Sequence, residues 1–249
     1  MLTLTVACAA CMAAQGVADD PRRLITDRPD FTESPQAVPH GRTQVEGGYT
    51  VSREADDEAH TLPELLVRVG LAPRWELRLS PPNAERTGGD GGEWGVTDTA
   101  VGFKYEIVRD DDAPCLFSVI GQSSLPTGDD GFASEDPEPE VKLLWSTQLA
   151  DDIALSGNLN GAWRWSEDGS YFEPAVSVSA SFGVTDEVGL YAEYFAFLGS
   201  DDRATEAHYL NGGATYQLSP TLQVDVRIGA GINAEADDLF AGVGFGILF

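Results

Sequence analysis

Basic residues are scarce in this sequence. Its 249 residues include 15 Lys and Arg against 41 Asp and Glu, for a formal net charge of −26. Because nucleic-acid phosphates are bound by clustered Lys and Arg, the composition argues against a nucleic-acid partner. Most of the acidic residues fall between the patterned segments described below. We interpret them as solvated loops rather than metal sites, since none has the spacing of a calcium-binding loop.

Cysteine is also scarce, and long apolar runs are confined to the N-terminus. Of the three cysteines, Cys8 and Cys11 lie inside the N-terminal apolar run that we interpret below as a cleaved signal, which leaves Cys115 in the mature chain without a partner for a disulfide. After residue 18, no segment has the roughly 18 consecutive apolar residues of a membrane helix. A mature chain that enters a membrane must therefore do so as β-strands.

The N-terminus resembles a secretory signal. An apolar run, Leu2–Ala14, is followed by Gly16-Val17-Ala18, whose small residues suit cleavage by signal peptidase. We therefore predict a signal peptide at residues 1–18 and export of the chain, although the basic residues that usually precede the apolar run are missing. The alternative is a lipoprotein anchor at Cys8 or Cys11, but neither has the usual Leu three residues earlier.

Polar and apolar residues alternate along most of the remaining chain. In Arg42–Ser52, for example, Val45 and Tyr49 alternate with polar residues, and this period of two indicates a strand with one polar face. Similar segments recur up to Leu239–Phe249 and make twelve predicted strands. The fifth, around Phe117–Gln122, is the least regular.

The predicted connections alternate in length. Those after the second, sixth, eighth and tenth strands are tight, the one after the fourth is modest, those after the third and fifth are long and acidic, and the other odd-numbered ones are intermediate. Outer-membrane barrels combine short periplasmic turns with longer external loops. We therefore predict an all-β fold, a twelve-stranded antiparallel up-and-down transmembrane β-barrel in the outer membrane, with both termini in the periplasm. The alternative is a soluble β-sandwich with its apolar faces turned inward.

Aromatic residues favour the barrel. Tyr49, Trp75 and Trp163 are among several that share the apolar phase, many near strand ends, as in the interfacial girdles of membrane barrels. Phe249 is a terminal aromatic in the same phase, which resembles the strand that the barrel assembly machinery reads. That machinery and outer-membrane lipids are therefore expected partners. We divide the chain into the signal peptide (1–18), a periplasmic N-terminal segment (19–40) that is a candidate plug or latch, and the barrel (41–249).

If the apolar phase contacts lipid, the opposite phase lines the barrel interior. Charged residues of both signs are expected there and can pair, because an unpaired charge in a narrow lumen is costly. The candidates are Arg42, Arg68, Arg78, Lys104, Lys142, Arg164, Arg227, Glu46, Glu64, Glu106, Glu193 and Asp225. They form either a functional pore lining or a salt-bridged filling that stiffens the barrel, and the sequence leaves both open.

Small residues on the inner phase of the eighth and twelfth predicted strands leave room in the lumen. Among them are Ser177, Ser179 and Gly244. The room can hold water, a solute or the N-terminal segment. On the ninth predicted strand, Phe195 and Phe197 add an apolar patch that suits a small aromatic or amphipathic solute, unless a bulge shifts the phase of this strand.

The sequence offers little material for catalysis. His40, His60 and His208 are not accompanied by a Gly-x-Ser-x-Gly nucleophile motif. A Cys and His cluster with metal-ligand spacing and a phosphate-binding glycine loop are also missing from the sequence. We therefore expect no enzymatic activity, no metal and no cofactor.

Motifs along most of the mature chain resemble one protein family. Among them are Thr26-Asp27-Arg28-Pro29-Asp30-Phe31-Thr32-Glu33-Ser34-Pro35, Leu62-Pro63-Glu64-Leu65 and Leu125-Pro126-Thr127-Gly128. In these motifs the chain resembles the "putative MetA-pathway of phenol degradation" family of outer-membrane transporter-like proteins. The resemblance implies a barrel that passes small, often aromatic, compounds, and no catalytic residues are carried over. In its light we expect five polar residues to lock the N-terminal segment against the barrel mouth: Asp27, Arg28, Asp30, Thr32 and Glu33.

We therefore expect an outer-membrane channel or transporter that passes small solutes, aromatic or hydrophobic ones among them, by passive diffusion. The alternative is a non-transporting barrel with a structural or adhesive role, served by its acidic external loops. The two differ in the lumen. A passive channel needs a continuous wet path, whereas a structural barrel can close the lumen with Arg and Glu pairs.

Overall fold

The computed structural model describes residues 24–55, 57–88, 91–110, 113–166, 169–199 and 204–249. The predicted signal peptide, with Cys8 and Cys11, lies outside the described residues. Within them the chain folds as β-strands, and no helix there is long and apolar enough to cross a membrane.

The strands follow one another around a single sheet. They are β1 Thr43–Glu54, β2 Asp57–Leu62, β3 Leu66–Ala72, β4 Trp75–Ser80, β5 Ala84–Arg86, β6 Trp94–Val96, β7 Thr99–Val108, β8 Leu116–Leu125, β9 Pro139–Ala150, β10 Ile153–Ser166, β11 Gly169–Gly183, β12 Val188–Phe197, β13 Ala207–Ser219, β14 Leu222–Gly231 and β15 Leu239–Leu248.

These fifteen segments form twelve strands that span one closed barrel, because three of the spanning strands, which we call staves, are each interrupted and consist of two segments. The second consists of β2 and β3, which are separated at Pro63, and the third of β4 and β5, separated at Pro81-Pro82. Proline has no backbone N–H to donate to a neighbouring strand, so the ladder breaks there. The fourth consists of β6 and β7. Each stave pairs antiparallel with its sequence neighbours, and β1 closes the barrel against β15, from Gln44 opposite Leu248 to Arg53 opposite Leu239. The predicted up-and-down barrel is confirmed.

The distribution of side chains is inverted relative to a soluble protein. Large apolar side chains are exposed on the outer surface, such as Leu159 at 55% and Val226 at 51%, whereas Arg68, Glu46 and Lys104 are each 0% exposed. An outer face of this kind matches lipid and not water. The alternative of a soluble sandwich with an apolar interior is therefore wrong.

The connections alternate as predicted at most positions. At the end where the described chain begins and ends, which we call the periplasmic end, β9–β10 and β13–β14 are joined by two-residue turns. At the other, external end, the longest connection is 126–138. The β1–β2, β5–β6 and β10–β11 connections are shorter than expected, because these hairpins continue as paired strands through residues predicted to be loop, and pairing satisfies their backbone groups. The irregular fifth predicted strand is β8, whose ladder with β7 shifts register between Glu106 and Val108.

Residues 24–41 enter the barrel from the periplasmic end and return to it. At one end the N–H of Leu24 donates to the carbonyl oxygen of Pro220, and at the other the N–H of Gly41 donates to the carbonyl oxygen of Gly70. Gly41 has a φ of 81°, a left-handed conformation that suits glycine where the segment turns into β1. Between these anchors the segment passes through the lumen. We call residues 24–39 the lumen segment.

Candidate functional site

A charged network covers the inner wall formed by β1, β3, β4 and β7. Antiparallel pairing sets Arg68 beside Arg78 and Glu76 beside Lys104. The Nη1 of Arg68 lies 2.9 Å from Oε1 of Glu46, and its Nε lies 2.9 Å from Oε1 of Glu76. The Nη1 of Arg78 lies 2.9 Å from the same Glu76 oxygen. Each of these five side chains is paired, as a buried charge must be.

Asp27 of the lumen segment lies at the centre of this network. Its Oδ2 lies 2.6 Å from Nη1 of Arg78 and 3.2 Å from Nζ of Lys104, and its Oδ1 lies 3.4 Å from Nη1 of Arg68. Burial raises the pKa of the Asp27 carboxyl, but the three cations outweigh burial and hold this pKa below its ordinary range. Asp27 is therefore an anion at any pH near neutrality.

Glu33 joins the lumen segment to the next part of the wall. Its Oε1 accepts hydrogen bonds of 3.2 Å from Nη2 of Arg78 and of 3.2 Å from Nζ of Lys142. Burial raises the pKa of Glu33, whereas Lys142 and Arg78 lower it, and the net result lies below the ordinary value. The structure thus brings two predicted latch acids, Asp27 and Glu33, to predicted lumen bases.

Arg28 lies on the opposite side of the lumen segment, against β1 and β15. Its Nη1 lies 2.8 Å from Oε2 of Glu64, and its Nη2 lies 3.4 Å from Oδ1 of Asp225. Gly48 and Gly244 face each other across the ladder at this point, and a Cβ on either residue would overlap the guanidinium. The small residues that we expected to leave room in the lumen therefore make room for the lumen segment.

Glu193 of β12 holds the tip of the lumen segment through its backbone. Its Oε2 accepts a 2.8 Å hydrogen bond from the N–H of Phe31, and its Oε1 accepts a 2.7 Å bond from the N–H of Thr32. The hydroxyl of Thr32 lies 2.7 Å from that of Ser177. Asp30 lies beside Glu193. Burial raises the pKa of the Asp30 carboxyl well above its ordinary value, and the negative charge of Glu193 raises it further.

Aromatic rings surround the tip of the lumen segment. The rings of Phe31 and Phe195 are stacked, with centroids 4.6 Å apart and planes 7° apart, and Tyr209 stacks on the other side of Phe195 at 4.7 Å and 12°. Phe197 meets Phe31 edge-on at 5.5 Å, and Phe240 lies 6.1 Å from Phe195. The ladders of β12 show no register shift, so the expected inner apolar patch is present and is not the result of a bulge.

A cavity of about 940 Å³ lies on the periplasmic side of the lumen segment. Hydroxyl and amide side chains from β10, β11, β13 and β14 line it, including Ser156, Ser179, Ser181, Thr215 and Gln223. Such side chains interact well with water and with polar solutes. The lumen therefore contains a polar cavity on the periplasmic side of the segment.

The remaining predicted lumen residues occupy different levels of the barrel. Arg227 donates from Nη2 to Oε1 of Glu64 at 3.1 Å and from Nη1 to the carbonyl oxygen of Pro29 at 3.2 Å. Glu106 accepts a 2.8 Å bond from the N–H of Ala37 in the lumen segment. Arg164 pairs with Glu173 and Glu138 near the external end, each at 3.1 Å.

Arg42 requires a correction. It precedes β1 at the periplasmic rim, and its Nε donates to the main-chain oxygen of Phe249 instead of meeting the charges of the lumen. The period of two placed Arg42 in the correct phase, but it could not show that the strand begins one residue later. Two residues that help to hold the lumen segment were not singled out from the sequence. Ser118 donates to the carbonyl oxygen of Pro35 in the segment, and Asn211 donates to Glu193, which in turn binds the tip. Both residues lie on the inner phase of their strands, and this phase was the only signal in the sequence.

Two histidines lie on the outer face, not in the lumen. The Nδ1 of His60 lies 2.7 Å from the hydroxyl of Tyr49, and the Nδ1 of His208 lies 2.7 Å from the hydroxyl of Tyr194. The Nε2 of His208 lies 3.0 Å from Oε1 of Glu206. These contacts place both imidazoles away from the cavity and the lumen segment. Among the described residues, no group of three or more His, Cys, Asp or Glu side chains is arranged to hold a metal ion.

Comparison with known proteins supports the fold and identifies the family. The model of the family described as "Putative MetA-pathway of phenol degradation" matches residues 26–249. The chain belongs to this family. No curated protein sequence matches the chain.

Solved structures with the same fold are outer-membrane barrels. The COG4313 outer membrane channel from Pseudomonas putida F1 is 14% identical, with a TM-score of 0.70 over 89% of this chain and 100% of that one. The NanC porin is 12% identical and the KdgM porin 13%, each with a TM-score of 0.55 over 82% of this chain and 98% of the other. At these identities the likeness establishes the fold, which is that of an outer-membrane β-barrel.

Proposed function

We propose that this protein is a passive outer-membrane channel for small solutes whose lumen is closed by its own lumen segment. The observation that carries the proposal is the network centred on Asp27, in which barrel bases hold a segment that is not part of the barrel wall. A barrel that served only as a scaffold could fill its lumen with side chains from its own strands. Here a separate chain segment fills it, so its withdrawal would leave an open path.

The two ends of the lumen suit passage of a solute. The cavity on the periplasmic side is polar and large enough for a small molecule, and the aromatic rings around Phe31 lie toward the external end of β12. A solute with both an apolar and a polar part can contact the aromatic rings with one part and the polar cavity with the other. The family description refers to phenol degradation, and small aromatic or hydrophobic compounds are therefore the proposed solutes.

The proposed location follows from the fold and from the predicted signal. A signal peptide at residues 1–18 would direct export, and the barrel assembly machinery would then insert the chain so that its apolar outer face contacts outer-membrane lipids. In this orientation, the short turns and the entrance of the lumen segment face the periplasm. The lumen segment thus closes the barrel from the periplasmic side.

A non-transporting structural or adhesive barrel is the second candidate function. The ion pairs of the lumen favour it, because Arg68, Arg78 and Lys104 each pair with a carboxylate, which compensates the charges that could otherwise guide an ion. In this case the lumen segment would be a permanent part of the core. The acidic external loops would then be the surface that carries the structural or adhesive function.

Conductance in planar lipid bilayers separates the two functions. Heat-modifiable mobility in gels first establishes that the purified protein is a folded barrel. Discrete channel events, with an ion selectivity that reports the charge at the constriction, are expected for a channel. A folded barrel that stays electrically silent, even when solutes are added and the lumen segment is loosened by substitution, would support the structural function.

A further inference from the structure

The tip of the lumen segment fills an aromatic slot in the barrel wall. The ring of Phe31 lies face to face with Phe195 and edge to face with Phe197, at the 4.6 Å and 5.5 Å separations at which rings attract each other. Phe195 is 7% exposed and Phe240 is 9% exposed, so the wall of the slot is buried while Phe31 is in place. Without Phe31, one face of Phe195 would be open to a ring of the same size.

The same slot supplies a hydrogen-bond acceptor for the backbone of the residue that carries this ring. Oε2 of Glu193 accepts a 2.8 Å bond from the N–H of Phe31 itself. Phe31 therefore presents two features to the wall, a flat ring that stacks on Phe195 and a donor that binds Glu193. A small molecule that carries a planar aromatic ring and a neighbouring O–H or N–H donor has both features.

We propose that Phe31 is a built-in competitor in a solute-binding site formed by Phe195, Phe197 and Glu193. A planar aromatic solute with a hydrogen-bond donor takes the place of Phe31 and thereby loosens the tip of the lumen segment. This inference rests on the proposed channel function, and it adds the site at which the solute is recognised and couples solute binding to opening. It predicts that binding is weakened in the native chain, because only the fraction of molecules with a vacant slot can bind.

The energetics permit such an exchange. An aromatic pair contributes about 0.5–1.5 kcal/mol beyond its buried area, which corresponds to an approximately twofold to twelvefold preference. The ring of the solute would recover the stacking that Phe31 loses, and its donor would recover the hydrogen bond to Glu193. The charged anchors at Asp27 and Glu33 need not break for the tip alone to move.

The test is to measure, by saturation-transfer NMR, the affinity for phenol of the purified protein in detergent micelles. Cyclohexanol, a ring of similar size that cannot stack, and anisole, which lacks the donor hydrogen, are the matched ligands. We expect phenol to bind more tightly than either. We expect Phe31→Ala to increase phenol affinity at least threefold because the competitor is gone, and Phe195→Leu to abolish the preference of phenol over cyclohexanol.

Phe103→Ala is the matched control, because its ring lies on the lipid-facing surface at 46% exposure. It should bind phenol like the native chain. If Phe195→Leu does not fold, as judged from heat-modifiable mobility, Phe197→Leu replaces it and removes the ring that meets Phe31 edge-on. Unchanged or reduced phenol affinity in Phe31→Ala, or equal binding of phenol and cyclohexanol, would overturn the inference.

Loosening of the segment has its own readout. In a Cys115→Ser background, Thr32→Cys places a thiol in the tip itself, where the native side chain is 3% exposed, and phenol should accelerate its labelling by a maleimide, whereas cyclohexanol should not. A labelling rate that phenol leaves unchanged would overturn the coupling. None of these measurements requires conductance, so a barrel that binds phenol but is electrically silent would contradict the channel function and leave the binding site intact.

Discussion

Asp27 and Arg78 are joined by a 2.6 Å hydrogen bond from Nη1 to Oδ2, although 51 residues separate them in the sequence. The bond connects the lumen segment to β4, and the neighbouring Lys104 connects the same carboxylate to β7. A single side chain of the lumen segment is thus held by two staves of the barrel wall. The segment forms no strand, and it is positioned by this carboxylate together with backbone hydrogen bonds to side chains of the wall such as Glu193.

Asp27→Asn should loosen the lumen segment. The amide keeps the size of the side chain but loses the charge that pairs with three cations, and hydrogen bonds to charged groups contribute about 1.5–3 kcal/mol each. We expect more frequent or larger openings in planar bilayers than for the native chain. Asp136→Asn, in an exposed external loop, is the matched control and should behave like the native chain. Equal conductance of Asp27→Asn and the native chain would show that this carboxylate does not hold the segment.

Arg68→Gln should destabilise the whole barrel. Arg68 and its partners Glu46 and Glu76 are each 0% exposed, and removal of Arg68 leaves the carboxylate of Glu46 buried without a cation, whereas Glu76 keeps Arg78. Breaking a buried ion pair typically costs about 3–5 kcal/mol. The midpoint of urea unfolding in lipid vesicles measures this effect.

The matched control for Arg68 is Arg53→Gln, since the Arg53–Glu58 pair has side chains 58% and 42% exposed. An exposed pair contributes only about 0–1 kcal/mol. Addition of Glu46→Gln to Arg68→Gln should recover part of the lost stability, because it removes the carboxylate charge that Arg68→Gln leaves without a cation. Equal losses in Arg68→Gln and Arg53→Gln would contradict the buried network.

The closed state should depend on pH through Asp30. Its pKa is raised because burial disfavours the ionised form and Glu193 adds repulsion. Below the ordinary pKa of an aspartic acid, about 4, the protonated Asp30 stabilises the state in which the lumen segment is in place. This stabilisation is lost as the pH rises through the raised pKa that Asp30 has in that state. We therefore expect longer closed times in acid and shorter ones as pH rises. Asp30→Asn should flatten the profile, and a native profile that is already flat would contradict this role.

The periodicity of two predicted the closed barrel and the inner phase of the network, because lipid on one side and a wet lumen on the other impose alternation on every strand. Arg68 and Glu46 could be assigned to the lumen for this reason. Their pairing could not, since it depends on the register of β1 and β3, where Gln44 lies opposite Arg68. The path of the lumen segment was also out of reach, because a Pro-rich chain without strand periodicity is positioned only by contacts that are distant in sequence.

Gly70→Ala should displace the end of the lumen segment without disturbing the wall. A Cβ at this position would overlap the carbonyl oxygen of Pro39, a backbone atom that cannot move aside by changing rotamer. Gly121→Ala is a matched control on β8, where nothing lies within 4 Å of an added Cβ. In a Cys115→Ser background, Gln36→Cys should be labelled faster by a maleimide when Gly70→Ala is present, and at the unperturbed rate with Gly121→Ala. Equal rates in the two would contradict the close fit at Gly70.

Deletion of Leu24–Pro39 tests the closing role of the lumen segment most directly. It removes Asp27, Arg28, Asp30 and Glu33 from the lumen and exposes the barrel bases that these residues meet. We expect the single-channel conductance to rise and the ion selectivity to shift, since Arg78 and Lys104 would then face water across an open path. The barrel should still show heat-modifiable mobility, because the ladder between β1 and β15 lies outside the deletion. A folded deletion variant with unchanged conductance would show that the segment does not limit the path, and the constriction would then have to lie in the wall itself.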